Sequence, residues 1–557
     1  MNTHQSRRPR KTPKDTDAVA AGRASGAASV LKLRWDLAEL PSSQHKAGLG
    51  GLALCVKFLE RKPERKGVCR IESIDERGLT LEVDRSGMQA LFDDVYDASF
   101  EEQRRPKILQ RKRPDGTKQD IPPKRVEEER IDDKGRAKTR TVFIYDQAIP
   151  RGALLDEWDA APSGSQKLWL KLWRDFVWST LRGVPSTRRP YEARAERESI
   201  PDGEEVWDQL KDAAGASVDL PSTYYVGAQA KSAENVSFRD TSRYRFLLHF
   251  WPFAVAIYAP FTVNREGERR PVGFALSVPD IVDLAAFVDD WARLARERSP
   301  EAFGYRPRDA VVDVAAEGGL DLVARMFQLI GRKQGAAATS PWLTAVDVFH
   351  VEKDGNNVRL RGVSRLDVVR ERSDEYARVR GSYRSPIFRR QRIASVLGGV
   401  PWWTGFGRVC AIAPDGQTIR SAQFQHDARI AFTEVEMRQS EQADQKSLEQ
   451  LIYQTVRAYV YKKLASKYGL EWDATKGASD TWKHDYDEKK SKVARDAFLA
   501  VRSRTGTDFI AYFTSTICSV PQHMGDHGYL AIAHAFNNAE EIERIRSLTL
   551  LALSASA

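Results

Sequence analysis

The spacing of apolar residues changes once along this chain, and that change limits the fold more than any other feature. Up to about Asp415-Gly416, short strand-like runs and turn signals are mixed with single helical stripes; beyond it, apolar residues recur only at helical spacing. Three pairs of runs read as β-hairpins. Cys69–Ile74 and Leu79–Val83 flank Asp75-Glu76-Arg77-Gly78, and Phe253–Val263 and Pro271–Val278 flank Asn264-Arg265-Glu266-Gly267. Leu343–Val351 and Val358–Val363 flank Asp354-Gly355-Asn356-Asn357, which has strong turn chemistry. Leu49, Leu52, Val56 and Leu59 mark one helical face, Trp169, Leu172, Trp173 and Phe176 a second, and a third helix is expected over about 280–297. Gly48, Gly50 and Gly51 open the first of these without the Gly-x-x-x-x-Gly-Lys-Ser/Thr order of a phosphate cradle, so they read as sites of close helix packing. In the last part Leu448, Ile452, Val456, Tyr459 and Leu464 trace one face, and Ile542, Ile545, Leu548 and Leu551 another. The expected class is α+β: a mixed α/β body with several β-hairpins over 33–425, followed by an all-helical bundle over 426–557.

Two stretches break the pattern. Residues 1–32 carry Arg7, Arg8, Arg10, Lys11 and Lys14 and then Ala, Gly and Ser, and read as a disordered basic arm. Residues 104–140 hold 14 Lys/Arg against 7 Asp/Glu, four prolines and few apolar side chains, and read as a mobile basic loop with its densest cluster at Arg111-Lys112-Arg113. The whole chain of 557 residues has a formal net charge of +10, which points to a polyanionic partner.

Composition also excludes whole classes. Four cysteines, Cys55, Cys69, Cys410 and Cys518, rule out a disulfide scaffold, and without Cys-x-x-Cys spacing they rule out a four-cysteine zinc ribbon. No apolar run approaches the roughly 20 residues that cross a bilayer, and the N-terminus lacks a signal peptide's apolar stretch. A cytoplasmic protein with no membrane partner is expected. Gly-x-Ser-x-Gly, Walker and His-Glu-x-x-His patterns are missing. His523 and His527 share an i, i+4 spacing, but Pro521, Gly525 and Gly528 make that stretch a turn. Glu488-Lys489-Lys490 fits a nuclease Glu-x-Lys by letters only, inside a charged helical run. No catalytic residue, cofactor or metal ligand is therefore assigned.

The strongest chemical signal is Arg359–Arg392, with eleven arginines, no lysine and four acids. A guanidinium engages phosphate oxygens in pairs and stacks on bases, and Tyr376, Tyr383 and Phe388 interleave with the arginines as on a nucleic-acid track. A solvated face of local ion pairs is the alternative. Candidate contacts are Arg380, Tyr383, Arg384, Arg389, Arg390 and Arg392, together with Arg111, Lys112 and Arg113 from the basic loop. Lys462 and Lys463 join them from a helical face that also carries Arg457, Lys467, Lys489, Lys490, Lys492 and Arg495.

Several strings resemble the large subunit of type I CRISPR interference complexes (Cascade), the Cas-eight family, in a branch close to types I-A and I-B. They are Asp36-Leu37-Ala38-Glu39-Leu40-Pro41 through Gln44-His45-Lys46-Ala47-Gly48-Leu49, Gly183-Val184-Pro185-Ser186-Thr187-Arg188-Arg189-Pro190-Tyr191-Glu192, Gly227-Ala228-Gln229-Ala230, Leu247-Leu248-His249-Phe250-Trp251-Pro252 and Tyr383-Arg384-Ser385-Pro386-Ile387-Phe388-Arg389. The resemblance runs over roughly 31–410. It implies a non-catalytic subunit for antiviral defence that meets the guide RNA handle and double-stranded target DNA, recognises the short motif beside the target (the PAM) and helps open the duplex. It also implies backbone and handle-binding subunits as neighbours and a surface that recruits the helicase-nuclease. In related systems the helical end is also made separately as a small subunit, and Met437 stands where such an internal start would fall. A transposon-associated version recruiting insertion machinery and a metal-dependent DNA-processing enzyme are the rival readings.

Overall fold

The computed structural model describes residues 29–557 except 65, 114–115, 134–135, 160–166, 182–187, 222, 229–236, 265–267, 335–339, 355–356, 440–445 and 519–524. The basic arm, apart from its last four residues, therefore lies outside the described residues, as does His523. The chain is α+β, with small antiparallel sheets and a helical C-terminal part.

In the N-terminal part, β1 (Leu31–Asp36), β2 (Cys69–Ile74) and β3 (Gly78–Val83) form a sheet in the order β1-β3-β2. Between β1 and β2 runs α1 (Ser43–Glu60), and α2 (Arg85–Val95) follows β3. Almost every side chain of α1 is buried, and its glycines show why. A Cβ at Gly48 would sit 2.4 Å from the Leu247 carbonyl oxygen, and one at Gly51 would sit 2.1 Å from that of Phe250. The helix thus lies directly on the backbone of 247–250, as the close-packing reading of these glycines expected.

Residues 104–140, expected as a loop, fold into strands instead. β4 (Ala98–Arg105), β7 (Arg125–Asp133) and β8 (Arg136–Pro150) form an antiparallel sheet in the order β4-β8-β7, and β5 (Gln110–Lys112) pairs with β6 (Lys118–Asp120) in a short hairpin. The composition misled because the strands hold each other through charge. Arg104 pairs with Glu127 across 2.8 Å, Arg125 with Glu102 across 2.8 Å, and Lys124 with Asp146 across 3.0 Å. Such exposed pairs contribute only about 0–1 kcal/mol each, but β8 adds buried Val142, Ile144, Tyr145, Ala148 and Ile149. The Tyr145 hydroxyl also accepts from the Leu109 N–H (3.0 Å) and donates to the Ile121 carbonyl (3.2 Å), pinning the base of the hairpin.

The aromatic stripe forms α3 (Leu168–Thr180), and a short α4 (Ser242–Leu247) leads into the segment under α1. The larger sheet has the order β10-β9-β11-β13-β14, from β9 (Ala256–Val263), β10 (Arg269–Pro271), β11 (Phe274–Ile281), β13 (Leu343–Asp354) and β14 (Asn357–Asp367). β12 (Val311–Val312) runs parallel beside β9. All three expected hairpins are therefore present. α6 (Glu317–Gln334) packs on this sheet, and α5 (Leu284–Arg296) packs against α6, α1 and β3.

The helical part begins at Arg370, earlier than the boundary at 426 read from the sequence. It contains α7 (Arg370–Ser382), α8 (Pro386–Gly398), α9 (Phe406–Ile412), α10 (Ala422–Gln439), α11 (Leu448–Tyr468), α12 (Asp480–Arg502), α13 (Gly506–Tyr512), α14 (Gly525–Ala535) and α15 (Ala539–Ser556). Tyr376, Phe388, Phe406, Phe424, Phe432, Val456, Phe498 and Leu551 share one core there, distinct from the core of the N-terminal part. The helix α6 serves both. Its Leu322, Val323 and Met326 belong to the first core, while Leu320 and Ala324 belong to the second.

Candidate nucleic-acid interface

The arginine-rich segment divides into two populations. On β14, Arg359 pairs with Asp354 (2.7 Å), Arg361 with Glu352 (2.6 Å), and Arg365 with Asp280 (2.5 Å) and Asp347 (3.3 Å). On α7 and α8 the pairs go deeper. Arg380 reaches Asp321 at 2.6 Å, and Arg389 binds Asp313 and, at 2.6 Å, Glu317. Although burial opposes its charge, Glu317 and Asp313 raise the Arg389 pKa above its ordinary value. Arg392 is 1 % exposed; its guanidinium reaches Glu375 at 3.3 Å and lies 5.9 Å from the rings of both Tyr383 and Trp402. Tyr383 is itself buried, with its hydroxyl 3.1 Å from a Glu434 carboxylate oxygen. Arg380, Tyr383, Arg389 and Arg392 are thus occupied inside the fold. Their acidic partners come from several elements, Asp321 and Glu317 from α6, Asp313 from the turn before it, Glu375 from α7 and Glu434 from α10, so the ion-paired alternative describes the three arginines.

Arg378, Arg384 and Arg390 are exposed, and none of the three makes an ion pair among the described residues. Arg384 and Arg390 share a tight scaffold. The Asp427 carboxylate accepts the backbone N–H groups of Arg384 (2.9 Å) and Ser385 (2.6 Å), and Ser385 caps α8 with Pro386 in its first turn. The two guanidinium groups therefore project from a fixed joint at the positive end of a helix. Arg111 and Arg113 are exposed on the β5–β6 hairpin, with Arg113 3.1 Å from Gln119, and Lys112 lies on the same strand. Lys462 and Lys463 lie exposed on α11. The structure does not gather all the expected contacts into one patch.

Sequence reasoning missed the aromatic surroundings of Lys462. It borders a cleft of about 650 Å³ with Tyr461, Trp472, Tyr486 and Lys490. The signal was present: Trp472 and Trp482 lie in polar stretches that no helical stripe explains. Among the described residues, no group of three or more His, Cys, Asp or Glu side chains is placed to hold a metal ion. No helix among them is long and apolar enough to cross a membrane.

Two of the strings that carried the family resemblance, at 36–49 and 247–252, meet in the first core, whereas Tyr383 and Phe388 of a third belong to the second. Gln44 makes two hydrogen bonds to the backbone of Val226, at 3.0 and 2.9 Å. The His45 ring lies 2.7 Å from Asp240, His249 Nδ1 lies 2.8 Å from the Tyr96 hydroxyl, and Trp251 donates to the Tyr224 carbonyl (2.9 Å). These are packing contacts, so the strings report a shared fold. Two family models match: the Type I-B CRISPR Cas8b N-terminal domain over residues 68–336 and the Type I-B CRISPR Cas8b C-terminal domain over residues 343–556. No curated protein sequence matches the chain. The two matched domains make this a large subunit of type I CRISPR. Within that class, the chain belongs to the type I-B Cas8b family.

Proposed function

We propose that this subunit is non-catalytic and binds the guide RNA handle and target DNA, recognises the PAM, helps open the duplex and recruits the helicase-nuclease. Its neighbours in the complex are the backbone and handle-binding subunits. Base pairing with the guide supplies long-range specificity, so the protein needs only phosphate grip and a few groove contacts. The observation that carries this reading is the contrast within one arginine run. Arg359, Arg361, Arg365, Arg380, Arg389 and Arg392 are ion-paired within the chain, whereas Arg384 and Arg390 are exposed without an ion pair and project from a rigid joint.

The test is duplex binding across a salt series. Each phosphate contact contributes about −0.9 to the slope of log affinity against log salt, so Arg384→Ala with Arg390→Ala flattens that slope by about 1.8. An unchanged slope removes this joint from the interface. Neutralising Arg111, Lys112 and Arg113 slows duplex capture and leaves guide RNA assembly intact; loss of assembly instead assigns that hairpin to RNA. Cleavage of plasmid by the purified chain with magnesium would overturn the non-catalytic reading.

A further inference from the structure

We propose that the cleft between α11 and α12 takes an unpaired base of a single-stranded polynucleotide, stacked on Trp472. The inference rests on the nucleic-acid reading above and adds a ligand class and the side chains that receive it. Trp472 lies in the connection between the two helices. Its ring is 5.6 Å from that of Trp482 and 5.4 Å from that of Tyr486, both edge to face. A Cβ at Gly477 would come within 3.1 Å of it, so the indole also rests on that backbone. Yet Trp472 is 62 % exposed. A large ring held by neighbours on its edges and open to water over most of its surface is pre-organised to stack, and every base offers a π-face.

Cations complete the site. Lys462 and Lys490 line the cleft, and Lys490 lies 6.0 Å from the Tyr461 ring, so positive charge and aromatic surface meet there as they do where single strands bind. Glu471 and Asp487 also border the cleft. Two carboxylates oppose a dense grip on phosphate, but they accept hydrogen bonds from exocyclic amines such as cytosine N4. Only an unpaired base can offer both its face and that edge. The cleft volume of about 650 Å³ suits a ligand of that size.

The experiment titrates the full chain with a labelled short oligocytidylate and with a duplex of equal length. Trp472→Ala weakens oligocytidylate binding by about 5- to 100-fold with an unchanged salt slope, and it leaves duplex affinity and the thermal midpoint as they were. Trp472→Phe restores most of the loss. Lys490→Ala lowers the single-strand salt slope by about 0.7 and tests the same cleft without altering the ring. Wild-type affinity for oligocytidylate in both Trp472→Ala and Lys490→Ala overturns the inference while duplex binding stands. If the wild-type chain binds neither nucleic acid at low salt, the underlying functional reading fails. If Trp472→Ala keeps single-strand binding but loses capture of the helicase-nuclease, the cleft is a protein-docking site and the proposal is wrong.

Discussion

His249 lies among Phe92, Tyr224 and Phe250 with its Nδ1 against the Tyr96 hydroxyl. Burial, with the nearby Arg245 charge adding to it, lowers its pKa from 6.5 to about 3. The unfolded chain therefore binds a proton between pH 6.5 and 3 that the folded chain refuses. Stability from this group is fully present above pH 6.5 and falls as the pH drops towards 3, by about 1.4 kcal/mol per pH unit. His249→Gln flattens that slope, measured as unfolding midpoints in denaturant between pH 7 and 5. Side chains of this kind show the limit of sequence reading at the residue scale. The arginine run was legible as a cluster, but nothing local distinguishes Arg390 from Arg389. One faces water and the other meets Asp313 and Glu317, whose positions are set by tertiary packing.

Among the elements, glycines differ in what surrounds them, as Gly51 of α1 and Gly331 of α6 show. Gly51 lies where α1 touches the Phe250 carbonyl, so Gly51→Ala forces α1 away from the 247–250 segment and costs about 1–3 kcal/mol despite alanine's better helix propensity. Gly331, within α6, has nothing within 4 Å of a Cβ, and Gly331→Ala gains about 1 kcal/mol. Thermal unfolding of the two variants shifts in opposite directions. Hairpins and helical stripes were readable because each is a local period with a marked turn. The sheet over 98–150 was not, because β4, β7 and the first half of β8 lack the apolar alternation by which strands are recognised. Their partners, such as Glu102 for Arg125, lie about twenty residues away.

For the molecule as a whole, the link between the two cores is ionic as well as apolar. Asp321 on α6 is 1 % exposed and receives Arg325 (2.7 Å), Arg380 (2.6 Å) and the Tyr258 hydroxyl (2.9 Å). Tyr258 belongs to the sheet and Arg380 to the helical part. Asp321→Ala leaves Arg325 and Arg380 with Asp309 alone, at 2.9 and 3.6 Å, as a shared acid. It costs about 3–5 kcal/mol and splits calorimetric unfolding into two transitions, one for each core. A single unchanged transition would show the halves joined by other contacts. The same geometry bears on an internal start at Met437. A chain of residues 437–557 lacks most of α10 and with it Phe424, Ala428 and Phe432 of the second core. We propose that such a fragment needs a partner to cover that face. A band of its mass in wild-type preparations, lost on Met437→Leu, is the corresponding check.

The position of α15 has a further consequence. It packs against α9, α10, α11, α12 and α13, all of which precede it, and it is buried on every side from Ile545 to Ser556. During synthesis these five helices leave the ribosome with their oily faces uncovered and stay so until the helix that joins them arrives. Nascent chains of this subunit thus pass through a long interval in which self-association competes with folding. Chaperone co-expression is expected to raise the yield of folded chain, and an unchanged yield would show that the five helices hold without α15.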